Sequence, residues 1–273
     1  MLGGATRDDK HGRGQSSNLA KPMREASETR PKRSLRVSFL NIYETLAISV
    51  PTIIDSALGR VTKEISDARL DSWARAVVAH AKVEIDVVGR EHLEEAAKRS
   101  MVVMSNHQSL YDIPVVFRVF GTNMRMVTKK ELFDVPIFGQ ALEKGGFIRI
   151  DRADRRQAIA SLSHAKRVGA DGTHVWIAPE GTRSQTGELL PFKKGGFNLA
   201  LEEGFPIMPV SLVGTRDVLE ARGVRSIVGQ RVRVTLHAPI DTAPYVAEGK
   251  AGRNRLIERV RAAVQSGLEG ESR

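Results

Sequence analysis

From about residue 81 the chain alternates between short apolar, β-branched runs and longer segments of helical spacing, and this alternation constrains the fold most. Strands are predicted at 83–88, 101–105, 124–128, 147–151, 173–178, 207–213 and 232–238. Helices are predicted at 91–98, 114–120, 137–144, 155–168, 196–203 and 253–265. The pattern implies an α/β fold, a mixed central sheet flanked by helices. In such folds function sits in loops at the carboxyl ends of strands.

The region before residue 81 reads differently. Residues 1–34 are rich in Gly, Ser, Lys and Arg without periodicity, and are expected to form a disordered basic arm. Residues 35–80 carry two helical patterns: one through Leu35, Val37, Phe39, Leu40, Ile42, Tyr43, Leu46, Ala47 and Val50, the other through Ile54, Leu58, Val61, Ile65, Leu70 and Trp73. Pro51 is expected to break them into two amphipathic helices, suited either to a bilayer interface or to packing on the core. The longest strongly apolar stretch without a charge is 45–54, short of the roughly 20 residues a membrane span needs. No transmembrane helix is expected. The opening Arg7, Asp8, Asp9 and Lys10 do not resemble a signal peptide, so an intracellular protein is expected.

Composition narrows the function classes. The 273 residues, 41% hydrophobic, suffice for one sizeable core. A net charge of +10 predicts a polyanionic partner: nucleic acid, an anionic membrane or a phosphorylated substrate. Aromatic residues are 5%, sparse for a chain that stacks many bases. With no cysteine, disulfides, thiolate–zinc sites and acyl-cysteine intermediates are excluded.

The first segment with chemistry is Asn106-His107-Gln108-Ser109-Leu110-Tyr111-Asp112, directly after a predicted strand. On one continuous helix, side chains five apart lie about 140° apart and do not meet. His107 and Asp112 meet only if the histidine lies in the loop and the aspartate in the first turn of the next helix. Ser109 and Asp112 have capping-box spacing, which supports that turn. A carboxylate on one imidazole nitrogen fixes the tautomer and makes the other a better base. Such a base takes the proton of an alcohol as it attacks a carbonyl. The bland alternative is a surface histidine beside a helix-capping aspartate.

A second segment, Ala178-Pro179-Glu180-Gly181-Thr182-Arg183-Ser184, also follows a predicted strand. Gly181 permits a tight turn, Thr182 and Ser184 add hydroxyls, and Arg183 offers a planar fork suited to phosphate. Glu180 could orient that arginine or bind a substrate hydroxyl. Lys193 follows in a basic, glycine-bearing loop that opens a helix, where anions are attracted. Gly146-Phe147-Ile148-Arg149-Ile150-Asp151-Arg152 is a third segment, with Arg152 beyond the strand end. The fourth, 207–211, reads as a buried strand. No Gly-x-Ser-x-Gly elbow, Walker loop or His-Glu-x-x-His motif is present. Direct attack by a substrate alcohol fits better than a protein nucleophile.

In order and spacing these four segments resemble the four blocks of the glycerolipid acyltransferase family, over roughly residues 81–240. The resemblance makes 81–273 an acyltransferase domain and implies His107 and Asp112 as the catalytic dyad. Arg152 is implied as a ligand of substrate phosphate, with Glu180, Gly181, Thr182, Arg183 and Lys193 completing the substrate site and residues 207–210 lining the acyl region. Ala178 stands where the family has phenylalanine. The implied reaction moves a fatty acyl group from acyl-CoA or acyl carrier protein to the free hydroxyl of 1-acylglycerol 3-phosphate. It needs no metal or other cofactor. It would run at the cytoplasmic face of an anionic membrane, with no nucleic acid as partner. Alternatives are another acceptor, glycerol 3-phosphate or a lyso-aminolipid, or a non-catalytic module that binds anionic membrane or nucleic acid.

Overall fold

The computed structural model describes residues 33–150, 169 and 172–269. The expected basic arm up to residue 32, Arg152 and the expected helix 155–168 lie outside the described residues. The described residues open with strand β1 (Arg33–Ser34) and helix α1 (Leu35–Ala57), capped by the Ser34 hydroxyl accepting from Val37 N. Helix α2 (Lys63–His80) is capped in the same way by Thr62 accepting from Ile65 N. There follow β2 (Glu84–Val88), α3 (His92–Ala96), β3 (Val102–Ser105), α4 (Asp112–Phe120), β4 (Met124–Lys129), α5 (Lys130–Phe133), α6 (Phe138–Lys144) and β5 (Ile148–Ile150). Then come β6 (His174–Ile177), α7 (Gly195–Glu203), β7 (Ile207–Val213), α8 (Thr215–Val218), β8 (Ser226–Ile227), β9 (Arg231–Leu236), α9 (Ala243–Val246) and α10 (Gly249–Glu269).

Seven strands form one mixed sheet in the order β2-β9-β7-β3-β6-β4-β5. From β7 to β5 every neighbouring pair is parallel, while β9 runs antiparallel to β7 and carries β2 parallel to itself. Central strands need both faces covered, and β3 is buried throughout. Its side chains alternate between two cores. Val103 packs in the core that contains Leu70, Ala74 and Val77 of α2 and Val115, Val116 and Phe117 of α4. Val102 and Met104 pack in the core that contains Phe197 of α7 and Leu256 and Val260 of α10. Gly196 lets α7 close on the sheet: a Cβ there would sit 3.0 Å from Ile177 Cδ1 and 3.1 Å from Met104 Cε. β3 and β6 are parallel neighbours, so the loops at their carboxyl ends emerge on the same sheet edge.

Two expectations about the N-terminal helices are corrected. Pro51 does not divide them, because α1 runs through it to Ala57. A proline inside a helix removes one backbone hydrogen bond, and here Pro51 lies on the exposed side. The chain turns instead at 58–62, where Gly59 takes φ +67° and Thr62 caps α2. The second correction concerns length. α1 has 23 residues with a mean hydropathy of 1.4 over its most apolar window, enough by length and composition to cross a membrane. The uncharged run is short because Glu44 and Asp55 bound it, both inside α1, and Glu44 lies 3.5 Å from His80 on α2.

The faces of α1 are inverted. Phe39 is 68% exposed and Tyr43 65%, with Ile42 and Ile54 also more than half exposed, while Ser49 and Thr52 are buried. Its polar side chains turn toward protein: Asn41 Nδ2 donates to Tyr111 Oη (2.7 Å), and Thr45 Oγ1 accepts from Trp73 Nε1 (3.0 Å).

Candidate active site

The loop after β3 begins with Asn106, which is buried and completes the sheet edge. Its amide donates to Leu212 O (2.8 Å) and accepts from Leu212 N (2.7 Å), mimicking a strand pair with β7. His107 follows, its ring partly exposed. Asp112, the first residue of α4, is fully buried. His107 Nδ1 lies 2.6 Å from Asp112 Oδ2. The same oxygen accepts from Gln108 N (2.8 Å) and Ser109 N (3.0 Å). An ionised carboxylate only accepts, so this contact favours the tautomer of the neutral ring that carries its proton on Nδ1 and its lone pair on Nε2.

Half of the expected capping box is formed. Asp112 reaches back to Ser109 N, but the Ser109 hydroxyl serves other partners. It accepts from Tyr111 N (3.2 Å) and donates to Leu219 O (2.7 Å). That second bond ties the histidine loop to the chain beyond α8. α4 starts at Asp112, two residues before the expected 114, because Pro114 is accommodated in its first turn.

The loop after β6 holds the histidine loop from beneath. Glu180 Oε1 accepts from His107 N (2.7 Å), and Ser184 N donates to His107 O (2.7 Å). Both backbone groups of the histidine are therefore fixed by this one loop. Glu180 Oε2 accepts from Leu190 N (2.9 Å). Glu180 is 2% exposed, and burial pushes its carboxyl up to about 7 against the opposing pull of the His107 and Leu190 N–H groups. With both oxygens committed to backbone donors, Glu180 is placed to position loops. Gly181 turns the chain at φ +72°, its N–H donating to Ala178 O (3.0 Å). Thr182 is exposed and Arg183 half-buried in the same turn. Lys193 has an exposed side chain, while its N–H donates to Pro179 O (2.8 Å), so the segment before α7 is laced to the Glu180 loop.

The structure thus brings His107, Asp112, Glu180, Gly181 and the backbone of Lys193 into one hydrogen-bonded assembly. Arg149 donates to Asp134 (3.0 Å) and lies over the Phe133 ring. Ser184, read from sequence as a hydroxyl of this loop, joins the assembly through its backbone N–H, and Asn106 belongs to it without having been given a role from sequence. Asn106 precedes the histidine at a strand end, the one signal that could have marked it. Among the described residues no group of three or more His, Asp or Glu side chains could hold a metal ion.

Residues 84–213 match the acyltransferase family model. That segment belongs to the acyltransferase family. It runs from β2 to the end of β7, so it contains both loops of the site and excludes α1, α2 and α10. The chain is similar to the chloroplastic 1-acyl-sn-glycerol-3-phosphate acyltransferase BAT2 of Brassica napus: 32% identity over 186 residues, covering 68% of this chain and 53% of that protein. It is 37% identical to the 1-acyl-sn-glycerol-3-phosphate acyltransferase of Saccharomyces cerevisiae over 143 residues, 51% of this chain and 46% of the yeast protein. The match spans about half the length of these relatives. Among solved structures the 1-acyl-sn-glycerophosphate acyltransferase PlsC of Thermotoga maritima superposes with a TM-score of 0.70 at 24% identity, covering 88% of this chain and 97% of that one. This likeness shows that the shared fold extends beyond the matched segment, over 88% of the chain.

Proposed function

We propose that this chain transfers a fatty acyl group from an acyl thioester to the free hydroxyl of 1-acylglycerol 3-phosphate, giving phosphatidic acid. The observation that carries the reading is the 2.6 Å contact between His107 Nδ1 and buried Asp112 within an acyltransferase-family domain. It leaves Nε2 as the basic nitrogen of a ring that is partly exposed. Nε2 takes the acceptor's hydroxyl proton as that oxygen attacks the thioester carbonyl. The tetrahedral intermediate collapses, the C–S bond breaks, and the thiolate recovers the proton from Nε2. Asp112 stabilises the imidazolium in between and stays ionised.

The acceptor phosphate is held by Arg183 and Lys193, joined by Arg152. The donor is acyl-CoA or acyl carrier protein. The acceptor is a lipid, and α1 supplies a surface for reaching it. Apart from Val37, which is buried, its large apolar side chains are exposed or partly exposed, while Asn41 and Thr45 bind Tyr111 and Trp73. A helix packed along one side on a folded domain cannot be ringed by lipid, so α1 lies in the bilayer interface with Phe39, Ile42 and Tyr43 in the acyl region. An anionic surface suits the +10 charge.

The test is thiol release from palmitoyl-CoA by purified protein, with and without lysophosphatidic acid, beside His107→Ala. Release that needs both acceptor and His107 is expected. Release independent of acceptor would make the protein a thioesterase, and release unaffected by His107→Ala would remove the dyad from the chemistry.

A further inference from the structure

The segment joining the Glu180 loop to α7 is held from outside the family-matched span. Arg261 lies on α10, between Val260 and Val264, both fully buried against the sheet. Its Nη1 donates to Leu190 O (2.7 Å) and its Nη2 to Leu189 O (3.0 Å). Its guanidinium also sits 5.6 Å from the centroid of the Phe192 ring. Leu190 is thus gripped at both backbone groups: its carbonyl by Arg261, and its N–H by Glu180 Oε2. The other oxygen of Glu180 holds His107 N. Three residues further on, Lys193 N is bonded to Pro179 O, next to Glu180.

We infer that Arg261 is a positioning residue for acyl transfer, fixing residues 189–193 so that Lys193 meets the acceptor phosphate and Glu180 holds the backbone of His107. The inference rests on the phosphate-binding reading of Lys193 given above. A guanidinium suits the task because its planar fork reaches two successive carbonyls while stacking on an aromatic face. A lysine at 261 offers a point charge and reaches one carbonyl at a time. An arginine that merely anchored α10 to its neighbour would need only one of these three contacts. Here all three fall on the segment that leads to Lys193.

The experiment uses the full chain as wild type, Arg261→Ala, Arg261→Lys and Lys193→Ala. Steady-state kinetics are run against lysophosphatidic acid and palmitoyl-CoA, with amide hydrogen exchange followed at Leu190 and His107. Arg261→Ala is expected to raise the acceptor KM roughly tenfold, the size of a lost charge-assisted contact, with the thioester KM within about twofold of wild type. Leu190 exchange should speed up by a similar factor, and Arg261→Lys should fall between. A folded Arg261→Ala with wild-type acceptor KM and wild-type Leu190 exchange overturns the inference. If Arg261→Ala does not fold, the same comparison on Arg261→Lys decides. Should Lys193→Ala leave the acceptor KM unchanged, the phosphate reading fails, and exchange at Leu190 and His107 still decides whether Arg261 positions the loop.

Discussion

The dyad loop and helix α1 depart from the usual arrangement of a folded chain in opposite directions. Around His107 the polar groups are inside: Asp112 is fully buried and Glu180 almost so, and backbone N–H groups donate to Asp112 Oδ2 and to both oxygens of Glu180. Along α1 the apolar groups are outside, with Phe39, Ile42, Tyr43 and Ile54 exposed while Ser49 and Thr52 are covered. A buried carboxylate and an exposed apolar face are the informative exceptions to burial by polarity. The first fixes the His107 ring and its backbone in one orientation, and the second is a surface that water does not stabilise. α2 shows how little sequence separates the two regimes, since it follows α1 within six residues and buries Leu70, Ala74 and Val77 in the ordinary way.

If the dyad region works by fixed polar contacts, damage there should be large and independent of membrane. Asp112→Asn leaves the shape but presents an amide where Nδ1–H needs an acceptor, and it removes the charge that faces Gln108 N and Ser109 N. Turnover should fall by about 10³- to 10⁴-fold on acceptor in vesicles and in detergent alike. A drop below tenfold would show that the Asp112 contact does not serve catalysis.

Glu180→Gln sharpens the same side of the comparison through pH. The folded carboxyl titrates near 7 against an ordinary 4.5, so the folded state holds this proton more tightly than the unfolded chain. The stability this provides is complete below about pH 4.5 and is lost as pH rises through 7. Wild type should lose about 3 kcal/mol relative to Glu180→Gln across that window. Urea unfolding of both proteins at pH 4.5 and 8 measures the difference, and parallel pH curves would contradict the assignment.

On α1 the expected effects belong to the membrane alone. Replacing Phe39 and Tyr43 together by serine removes about 3 kcal/mol or more of apolar transfer. Sedimentation with anionic vesicles should weaken at least tenfold, while turnover of a water-soluble short-chain acceptor changes less than twofold. Unaltered vesicle binding would take α1 out of the membrane. The smallest effect concerns the contact between the two regions. Asn41→Ala removes the bond to Tyr111, the residue before Asp112, and should lower stability by about 1 kcal/mol in urea unfolding.

Much of the fold was legible because its strands are short, buried and bounded by turn residues. Each of the seven main-sheet strands falls where the apolar runs placed it, within two residues at either end. The two-residue pair β1–β8 was not legible, because two residues carry no periodicity. Pro51 misled because one missing backbone bond does not end a 23-residue helix, whereas Gly59 and Thr62 do. At the site, the spacing of His107 and Asp112 announced their contact, since a strand end and a helix start leave few other geometries. The partners of Glu180 were hidden, for they are the backbone N–H groups of residues 73 and 10 positions away, and backbone donors look alike in any sequence. Arg261 was hidden for a related reason: nothing in a helix with several arginines marks the one that reaches a distant loop.

The most direct measurement is the phosphatidic acid formed by purified protein from palmitoyl-CoA and lysophosphatidic acid, quantified by mass spectrometry against thiol released. Wild type is expected to give the two products one for one, and His107→Ala neither, while unfolding at the same temperature. Phosphatidic acid from His107→Ala at the wild-type rate, or thiol without phosphatidic acid from wild type, would contradict acyl transfer by the His107–Asp112 dyad.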